Sequence, residues 1–284
     1  MDAVPSPIEL DRCISRMNTK RAPGKDKFTA EVLKFGGEEL RKRVHKVVQE
    51  MWTAAINSSA GSEAQDWPPE WKLGIVVPLW KRKGQRTDKN TWRGITLLSV
   101  GSKLLARVVA ARIQVWSEKF LKEEQNGFRR GRSVDDCLTV SRRLIEEVNR
   151  IHSDDWVLLS LFDIEKAYPR VCKDALWHLM KVRGCAPGMI RVCKALHEST
   201  AYAVRIHGDL SSTWTPDRGL REGCPSSPPL FNVYHDGVME DFRARRMASA
   251  LASNKRPGLD WEYKVDGRLW KRARGRTTGR VWGK

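Results

Sequence analysis

The chain has 284 residues, with 52 Lys or Arg against 34 Asp or Glu and a formal net charge of +18. This length and a hydrophobic content of 40% are sufficient for a buried core in one large or two modest domains. The basic excess favours a polyanionic partner, most often nucleic acid, over a role in solubility alone. No apolar run approaches the roughly 20 residues of a membrane span. The six cysteines form no CxxC pair, which indicates reduced thiols in an intracellular protein.

The first part of the chain has apolar residues at helical spacing, followed by β-branched stretches. A turn-forming segment, Ala22-Pro23-Gly24-Lys25-Asp26, separates the first two predicted helices. The predicted elements in chain order are helices at 7–19 and 28–57, a loop at 57–69, extended segments at 71–80 and 93–98, and helices at 102–120 and 133–151.

The second part mixes strands and helices without a strict alternation, which predicts the α+β class. A mostly apolar strand at 156–163 ends in a carboxylate. It is followed by predicted helices at 173–183 and 187–198, strands at 201–207 and 212–216, a turn at 218–225 and a helix at 228–247. The Arg-, Gly- and Trp-rich stretch 254–284 is typical of a short hairpin running into an unstructured basic tail.

Three groups of residues could carry phosphoryl-transfer chemistry. Asp163 lies at the tip of the predicted strand, where a carboxylate can hold a divalent metal; alone, it is more typical of a cap on the next segment. The Gly- and Pro-rich segment 218–228 lets backbone approach a base pair or phosphate, although it could also be an ordinary turn before a helix. Lys81 and Arg93 lie on neighbouring extended segments and could clamp a triphosphate, although solvated surface charge is the commoner role of such residues.

The order of these segments resembles the reverse transcriptases of non-LTR (LINE-type) retrotransposons. Residues 22–34 are similar to an N-terminal extension motif of that family, and 71–112 to its fingers block. Gln125 to Ser133 matches its Gln-x-Gly-Phe-Arg-x-Gly-Arg-Ser signature, 162–168 polymerase motif A, and 218–234 motif B. The resemblance covers roughly residues 18–242 and rests on several ordered blocks.

The resemblance implies an RNA-directed DNA polymerase that adds dNTPs to a DNA primer on an RNA template by two-metal phosphoryl transfer with Mg²⁺. Asp163 would bind both metals and the Ile164 carbonyl one of them, while Tyr168 would lie under the sugar. The implied triphosphate ligands are Lys81 and Arg93, the residue packed on the incoming base pair is Gly223, and the template contacts are Gln125, Gly127, Phe128, Arg129 and Arg132.

The implied architecture is a right-hand polymerase with fingers and a partial palm and without a thumb. Its predicted parts are an N-terminal helical extension at 1–60, fingers at 61–152, a partial palm at 153–250 and a basic hairpin and tail at 251–284. The target-primed life cycle of the family implies a nuclear location. No membrane partner is expected.

The sequence departs from the family pattern at three places. Pro169 stands where the family usually has Asp, and Glu222 stands where motif B usually has Gln; this carboxyl could be protonated or paired with Arg221. Motif C, which carries Ala-Asp-Asp, is not found, because the Asp-Asp pairs at 135–136 and 154–155 both precede motif A. The expectation is therefore a truncated, catalytically incomplete copy. A non-catalytic nucleic-acid-binding fragment and a chain that no longer folds stably are the alternatives.

Overall fold

The computed structural model describes residues 1–58, 67–151, 163–252, 263–265 and 268–270. The chain divides into two compact units, Met1–Asp236 and Gly237–Lys284. The first is a mixed α/β unit with a small mixed sheet, in agreement with the predicted α+β class. No helix in the described part of the chain is long and apolar enough to cross a bilayer.

Among the described residues before the first strand, the helices are α1 Pro7–Ser15, α2 Ala30–Phe35, α3 Gly37–Asn57 and α4 Pro69–Lys72. The Ser6 hydroxyl caps α1 by accepting a hydrogen bond from the Glu9 N–H at 3.2 Å. The prediction of one helix over 28–57 was wrong, because the helix is interrupted at Gly36–Gly37, where Gly37 has a φ of +84°. This positive φ is outside the right-handed helical region, so α2 and α3 are separate helices.

The sheet has the order β2-β1-β3-β4. Its strands are β1 Leu73–Trp80, β2 Trp92–Leu97, β3 Ala201–Ile206 and β4 Asp209–Leu210. β2 pairs antiparallel to β1, and β3 pairs parallel to β1 from far along the chain. The predicted strand 212–216 was wrong: of this segment only Trp214 pairs, exchanging backbone hydrogen bonds of 2.8 and 3.0 Å with Tyr202.

The core lies around α5 Val100–Ser117, whose apolar residues are almost all buried. α7 Lys173–Val182 and α8 Pro187–His197 contribute to the same core, and both confirm predicted helices. α6 Val134–Ile151 is also confirmed, but most of its apolar side chains, such as Leu138 and Leu144, are exposed.

Arg112 of α5 joins the N-terminal segment to this core. Its guanidinium donates to both carboxylate oxygens of Glu9 at 2.8 and 2.6 Å, and to the backbone carbonyls of Met1 and Ala3. The same group lies 4.6 Å from the centre of the Trp52 ring. All the partners converge on one planar cation, which fixes the first residues against α3 and α5.

α9 Ser227–Ala252 begins in the first unit and continues into the second. The second unit also contains an antiparallel hairpin, β5 Tyr263–Val265 with β6 Arg268–Trp270, which confirms the predicted short hairpin. The predicted strand 156–162 and the basic tail beyond 270 lie outside the described residues.

Candidate nucleotide and template site

Lys81 and Arg93 lie near the tip of the β1–β2 ribbon, and both are exposed. Arg93 stands opposite Leu79 in the antiparallel register, and Lys81 is two residues beyond Leu79. Residues two apart on a strand share a face, so the two cations are diagonal neighbours on one face. The Lys81 Nζ donates to the Asn90 carbonyl at 2.9 Å, and the Lys81 backbone N–H donates to the Thr91 carbonyl at 2.8 Å. These bonds join the start of the loop to the short turn before β2.

The motif B loop, residues 218–226, packs against the segment that follows Asp163 on one side and against β2 on the other. Gly219 has a φ of +99°, its N–H donates to the Val171 carbonyl at 2.9 Å, and a Cβ there would lie 2.8 Å from the Cα of Pro169. Gly223 has a φ of +75°, and a Cβ there would lie 2.7 Å from the carbonyl oxygen of Thr96. Glycine therefore permits both the backbone conformation and the close approach at each end of the loop.

Tyr168 is half-buried beside this loop. Its carbonyl accepts a hydrogen bond from the Leu220 N–H at 3.0 Å, and its ring meets Phe231 edge-on at 5.6 Å between centroids. Burial raises the pKa of the Tyr168 hydroxyl, and the charge of Glu222 raises it further. Burial also raises the pKa of the Glu222 carboxyl. The structure thus brings the predicted sugar-contacting residue next to the motif B loop and the unusual carboxylate.

Arg221 is turned away from Glu222 into the core, so the ion pair left open by the sequence is not formed. The Arg221 Nη1 donates to Ser102 Oγ at 3.3 Å and to the Leu196 carbonyl at 3.2 Å, and the side chain is 1% exposed. Burial lowers the pKa of this guanidinium. Glu222 keeps its position at the loop surface without this counter-charge.

His197, at the end of α8, forms hydrogen bonds with two residues of the motif B loop. Its Nδ1 accepts the Arg221 backbone N–H at 3.3 Å, which leaves Nε2–H to donate to Ser226 Oγ at 2.9 Å. Burial lowers the pKa of His197 to about 3, and the charges of Arg221 and Lys173 add to this effect. A neutral imidazole in one tautomer is therefore part of the motif B structure.

The predicted template loop is docked on α9. Gln125 Nε2 donates to Asn232 Oδ1 at 3.2 Å, and Gln125 Oε1 lies 3.1 Å from His235 Nδ1. Asn232 Nδ2 donates in turn to the Gly127 carbonyl at 2.7 Å. The start of the signature is thus joined to the helix that follows motif B.

Arg129 has different surroundings from those predicted. It is buried, and its guanidinium donates to both oxygens of Glu118 at 3.1 and 2.6 Å and to two loop carbonyls. Its donors hold the loop together rather than facing solvent. Phe128, with a φ of +57°, and Gly127 are exposed, and Arg132 donates to Glu123 near the surface. These residues remain predictions as template contacts.

Asp163 and Ile164 are exposed and are the first described residues after 152–162. A carboxylate and an adjacent backbone carbonyl are hard oxygen donors, and Mg²⁺ takes few protein ligands while keeping waters and phosphate oxygens. The pair fits part of a Mg²⁺ site. No group of three metal-ligating side chains occurs in the part of the chain that the structure describes.

Comparison with known sequences identifies the family of the chain. A family profile described as reverse transcriptase (RNA-dependent DNA polymerase) matches residues 81–253, and the chain belongs to this family. Relatives include a transposon TX1 protein of 149 kDa from Xenopus laevis (26% identical over 225 residues) and probable RNA-directed DNA polymerases from the transposons X-element (27% over 243) and BS (25% over 229) of Drosophila melanogaster. The predicted membership of the LINE-type, non-LTR group is confirmed.

The matches cover 79%, 83% and 80% of this chain but only 16%, 25% and 24% of these three relatives. The chain therefore spans a quarter or less of their length.

Asn232, His235 and His197 are site residues that the motif analysis did not single out. Each is a polar residue within a predicted helix, and each holds a loop that the motifs identified. The sequence indicated these residues only as polar side chains among apolar helix positions. Polar side chains in a helix are more often exposed to solvent than bonded to a loop.

Proposed function

We propose that this chain is the part of a LINE-type RNA-directed DNA polymerase that binds the incoming dNTP and the RNA template. The observation that carries this proposal is the packing of the motif B loop on both the Tyr168–Val171 segment and Thr96 of β2. Three motifs that are far apart in sequence thereby meet at one place. A nucleotide site needs this convergence, because catalysis of phosphoryl transfer depends mainly on positioning and charge stabilisation.

In this proposal the β1–β2 ribbon belongs to the fingers, 61–152, and motif B to the partial palm, 153–250. Lys81 and Arg93 bind the triphosphate from one face of the ribbon, with Arg93 supplying forked donors and Lys81 a compact charge. Gly223 presents bare backbone to the incoming base pair, and Tyr168 supports the sugar. Each role uses a side chain or backbone group that is at least partly accessible.

Asp163 and the Ile164 carbonyl would hold Mg²⁺ in the two-metal site. When bound, the metal neutralises the negative charge that develops on the reacting phosphate oxygens. The residues themselves offer the oxygen ligands at adjacent positions of the backbone. Gln125, Gly127, Phe128 and Arg132 would contact the template backbone.

Arg129 would act by holding the template loop in place, because its donors are engaged with Glu118 and with loop carbonyls. The polar contacts of Gln125 with α9 would fix the same loop relative to motif B. The template and the nucleotide would thus be bound by elements that are joined through α9.

A polypeptide of residues 1–284 alone is proposed to bind these partners without polymerising. Its Asp-Asp pairs, at 135–136 and 154–155, precede Asp163 and stand in no Ala-Asp-Asp sequence. Two-metal catalysis needs further carboxylates, and the loss of members of a catalytic unit removes nearly all of its rate advantage. A nuclear location is proposed on the basis of the family.

Fluorescence anisotropy of a labelled oligo(dT) primer on poly(rA) tests this function. We expect binding that weakens steeply with salt, and dTTP with Mg²⁺ should tighten it in the wild type. Arg93→Gln should abolish this dTTP effect, whereas the matched variant Lys89→Gln, which removes an exposed charge from the short turn before β2, should retain it. Binding that does not respond to salt would contradict the proposal.

A primer-extension assay with the same template and dTTP tests the proposed inactivity of residues 1–284. We expect no extension, and robust DNA synthesis would show that this polypeptide has the carboxylates it needs.

Non-catalytic nucleic-acid binding is the second candidate, favoured by the net charge of +18 and the absence of Ala-Asp-Asp. In that case dTTP and Mg²⁺ would not change template-primer affinity, and Asp163→Ala would leave the affinity unchanged. Under the first proposal, Asp163→Ala should reduce the effect of Mg²⁺ and dTTP while leaving binding without nucleotide intact.

A further inference from the structure

A cavity of about 190 Å³ lies between the loop that follows α1, the first turns of α5 and the motif B loop. Three cationic side chains line it: Arg21, Lys103 and Arg107. Gly223 and Pro225 of motif B also line it, and the other lining residues are mostly apolar or small. The cavity is therefore a cationic space in an otherwise weakly polar wall.

Lys103 and Arg107 are one turn apart on α5, so both point to the same side of the helix. Both are partly buried, and burial lowers the pKa of each. The Arg107 Nε is buried without a hydrogen-bond partner. Two like charges that lie close together and are partly removed from water favour the binding of a negative charge.

One carboxylate, Asp26, interacts electrostatically with Lys103. Asp26 accepts a hydrogen bond from the Val100 N–H at 3.2 Å, which holds it at the start of α5. Its charge acts on Lys103, but burial raises the pKa of Asp26 itself. Among the described residues, no carboxylate forms an ion pair with Lys103 or Arg107. One carboxylate balances at most one of the three cations that line the cavity, so the cavity keeps a net positive charge.

Size and chemistry together select the ligand. Pockets for whole small molecules are usually about 300–1,000 Å³, so this cavity suits a single anionic group rather than a nucleoside. Arg and Lys together are typical of phosphate recognition, with Arg offering forked donors and Lys a point charge. We propose that the cavity binds one phosphate group of a nucleic-acid backbone through Lys103, Arg107 and Arg21.

This site is separate from the triphosphate clamp proposed above. Gly223 contacts Thr96, and Arg93 is three residues before Thr96 on β2, or about 10 Å along the strand. Lys103 and Arg107 of α5 line the cavity, whereas Arg93 lies near the tip of the β1–β2 ribbon and does not line it. The assignment of the bound phosphate to a nucleic-acid backbone rests on the proposed function, because a free phosphate ion would be recognised by the same side chains.

The test compares three double variants with the wild type. Lys103→Gln/Arg107→Gln removes both cavity charges, and Lys103→Arg/Arg107→Lys keeps them. Lys42→Gln/Lys46→Gln removes two exposed charges of α3 that lie near Glu38, Glu39 and Glu50. Each variant is first checked for a cooperative thermal melt.

Affinity for a labelled single-stranded RNA is then measured across a salt series. For single strands, log K falls with log[salt] by about 0.7 per neutralised phosphate, so loss of the one phosphate bound in the cavity should reduce the slope by about 0.7. We expect this reduction and an affinity loss of about tenfold or more for the neutral cavity variant only. Equal losses in the cavity and α3 variants would overturn the proposal. So would an equal loss in the charge-retaining variant.

Inorganic phosphate alone separates this inference from the proposed function. Phosphate should raise the melting temperature of the wild type, at constant ionic strength, more than that of the neutral cavity variant. If the wild type binds no RNA, the proposed function fails, and a phosphate effect confined to the intact cavity would still support a phosphate site for a free ligand. No difference between wild type and variant in both measurements would refute the site.

Discussion

Gly223→Ala tests whether motif B depends on the close approach of its backbone to β2. The Gly223 φ of +75° lies in the left-handed region, and the Cβ of alanine would be 2.7 Å from the Thr96 carbonyl oxygen. The neighbour is backbone in a paired strand, so it cannot rotate away as a side chain could. The substitution should therefore both strain the loop and displace it from the strand.

Two effects add up in this variant. The left-handed conformation costs an alanine roughly 1–2 kcal/mol, and forcing an extra carbon into a packed contact typically costs about 1–3 kcal/mol. We expect the free energy of unfolding to fall by roughly 2–5 kcal/mol as the sum of these two terms. The dTTP-dependent tightening of template-primer binding should also be lost if the displaced loop forms the nucleotide site.

Gly184→Ala is the matched control. Gly184 has a φ of +72°, and nothing lies within 4 Å of the position of its Cβ. This variant should lose only the conformational part, about 1–2 kcal/mol, and it should keep the dTTP effect. Urea unfolding of both variants and the wild type measures the difference. If the two variants were destabilised equally, the contact between motif B and β2 would contribute nothing, and the reasoning would be refuted.

Three further predictions concern titratable side chains around the site. Arg129→Met should lower the free energy of unfolding by about 1–3 kcal/mol in urea denaturation, because it breaks four hydrogen bonds, whereas exposed Arg130→Met should have little effect. The pKa of His197 falls from 6.5 to about 3 on folding, so the unfolded chain binds more protons between these values. The free energy of unfolding should decrease as pH falls through this window, by up to about 1.4 kcal/mol per pH unit. His197→Asn should flatten this dependence on pH, and an unchanged slope in the variant would contradict the prediction. Burial raises the folded pKa of Glu222, so stability should fall as pH rises above 4.5, and Glu222→Gln should gain most over wild type in melts at high pH.

Helices and strands were predicted correctly from the sequence where one spacing of apolar residues continued through the whole element. The apolar stripe of α5 and the helices at 173–182 and 187–197 were predicted within a few residues. The break between α2 and α3 was missed, because helical spacing continues across Gly36 and Gly37 while the backbone conformation does not. The predicted strand at 212–216 failed because pairing with β3 begins earlier, at Asp209 and Leu210, and its register shifts by one residue before the isolated bridge at Trp214.

The candidate site was found from ordered motifs, but its contacts were not. No spacing rule predicts that Arg129 is engaged with Glu118 while exposed Phe128, its neighbour, faces solvent. Likewise, Arg221 and Glu222 are adjacent in sequence, and the sequence left open whether they pair. Only the path of the loop decided this, since it turns Arg221 toward the Leu196 carbonyl in the core.

The sequence by itself determined the family, the order of the motifs and the excess of positive charge. These depend on residue identity along the chain, which is a local property. The tertiary structure decided which motifs meet, because contacts such as Gly223 with Thr96 and Gln125 with Asn232 join residues that are more than 100 positions apart. It also brought Lys103 and Arg107 against motif B around one cavity, where partial burial lowers the pKa of both side chains.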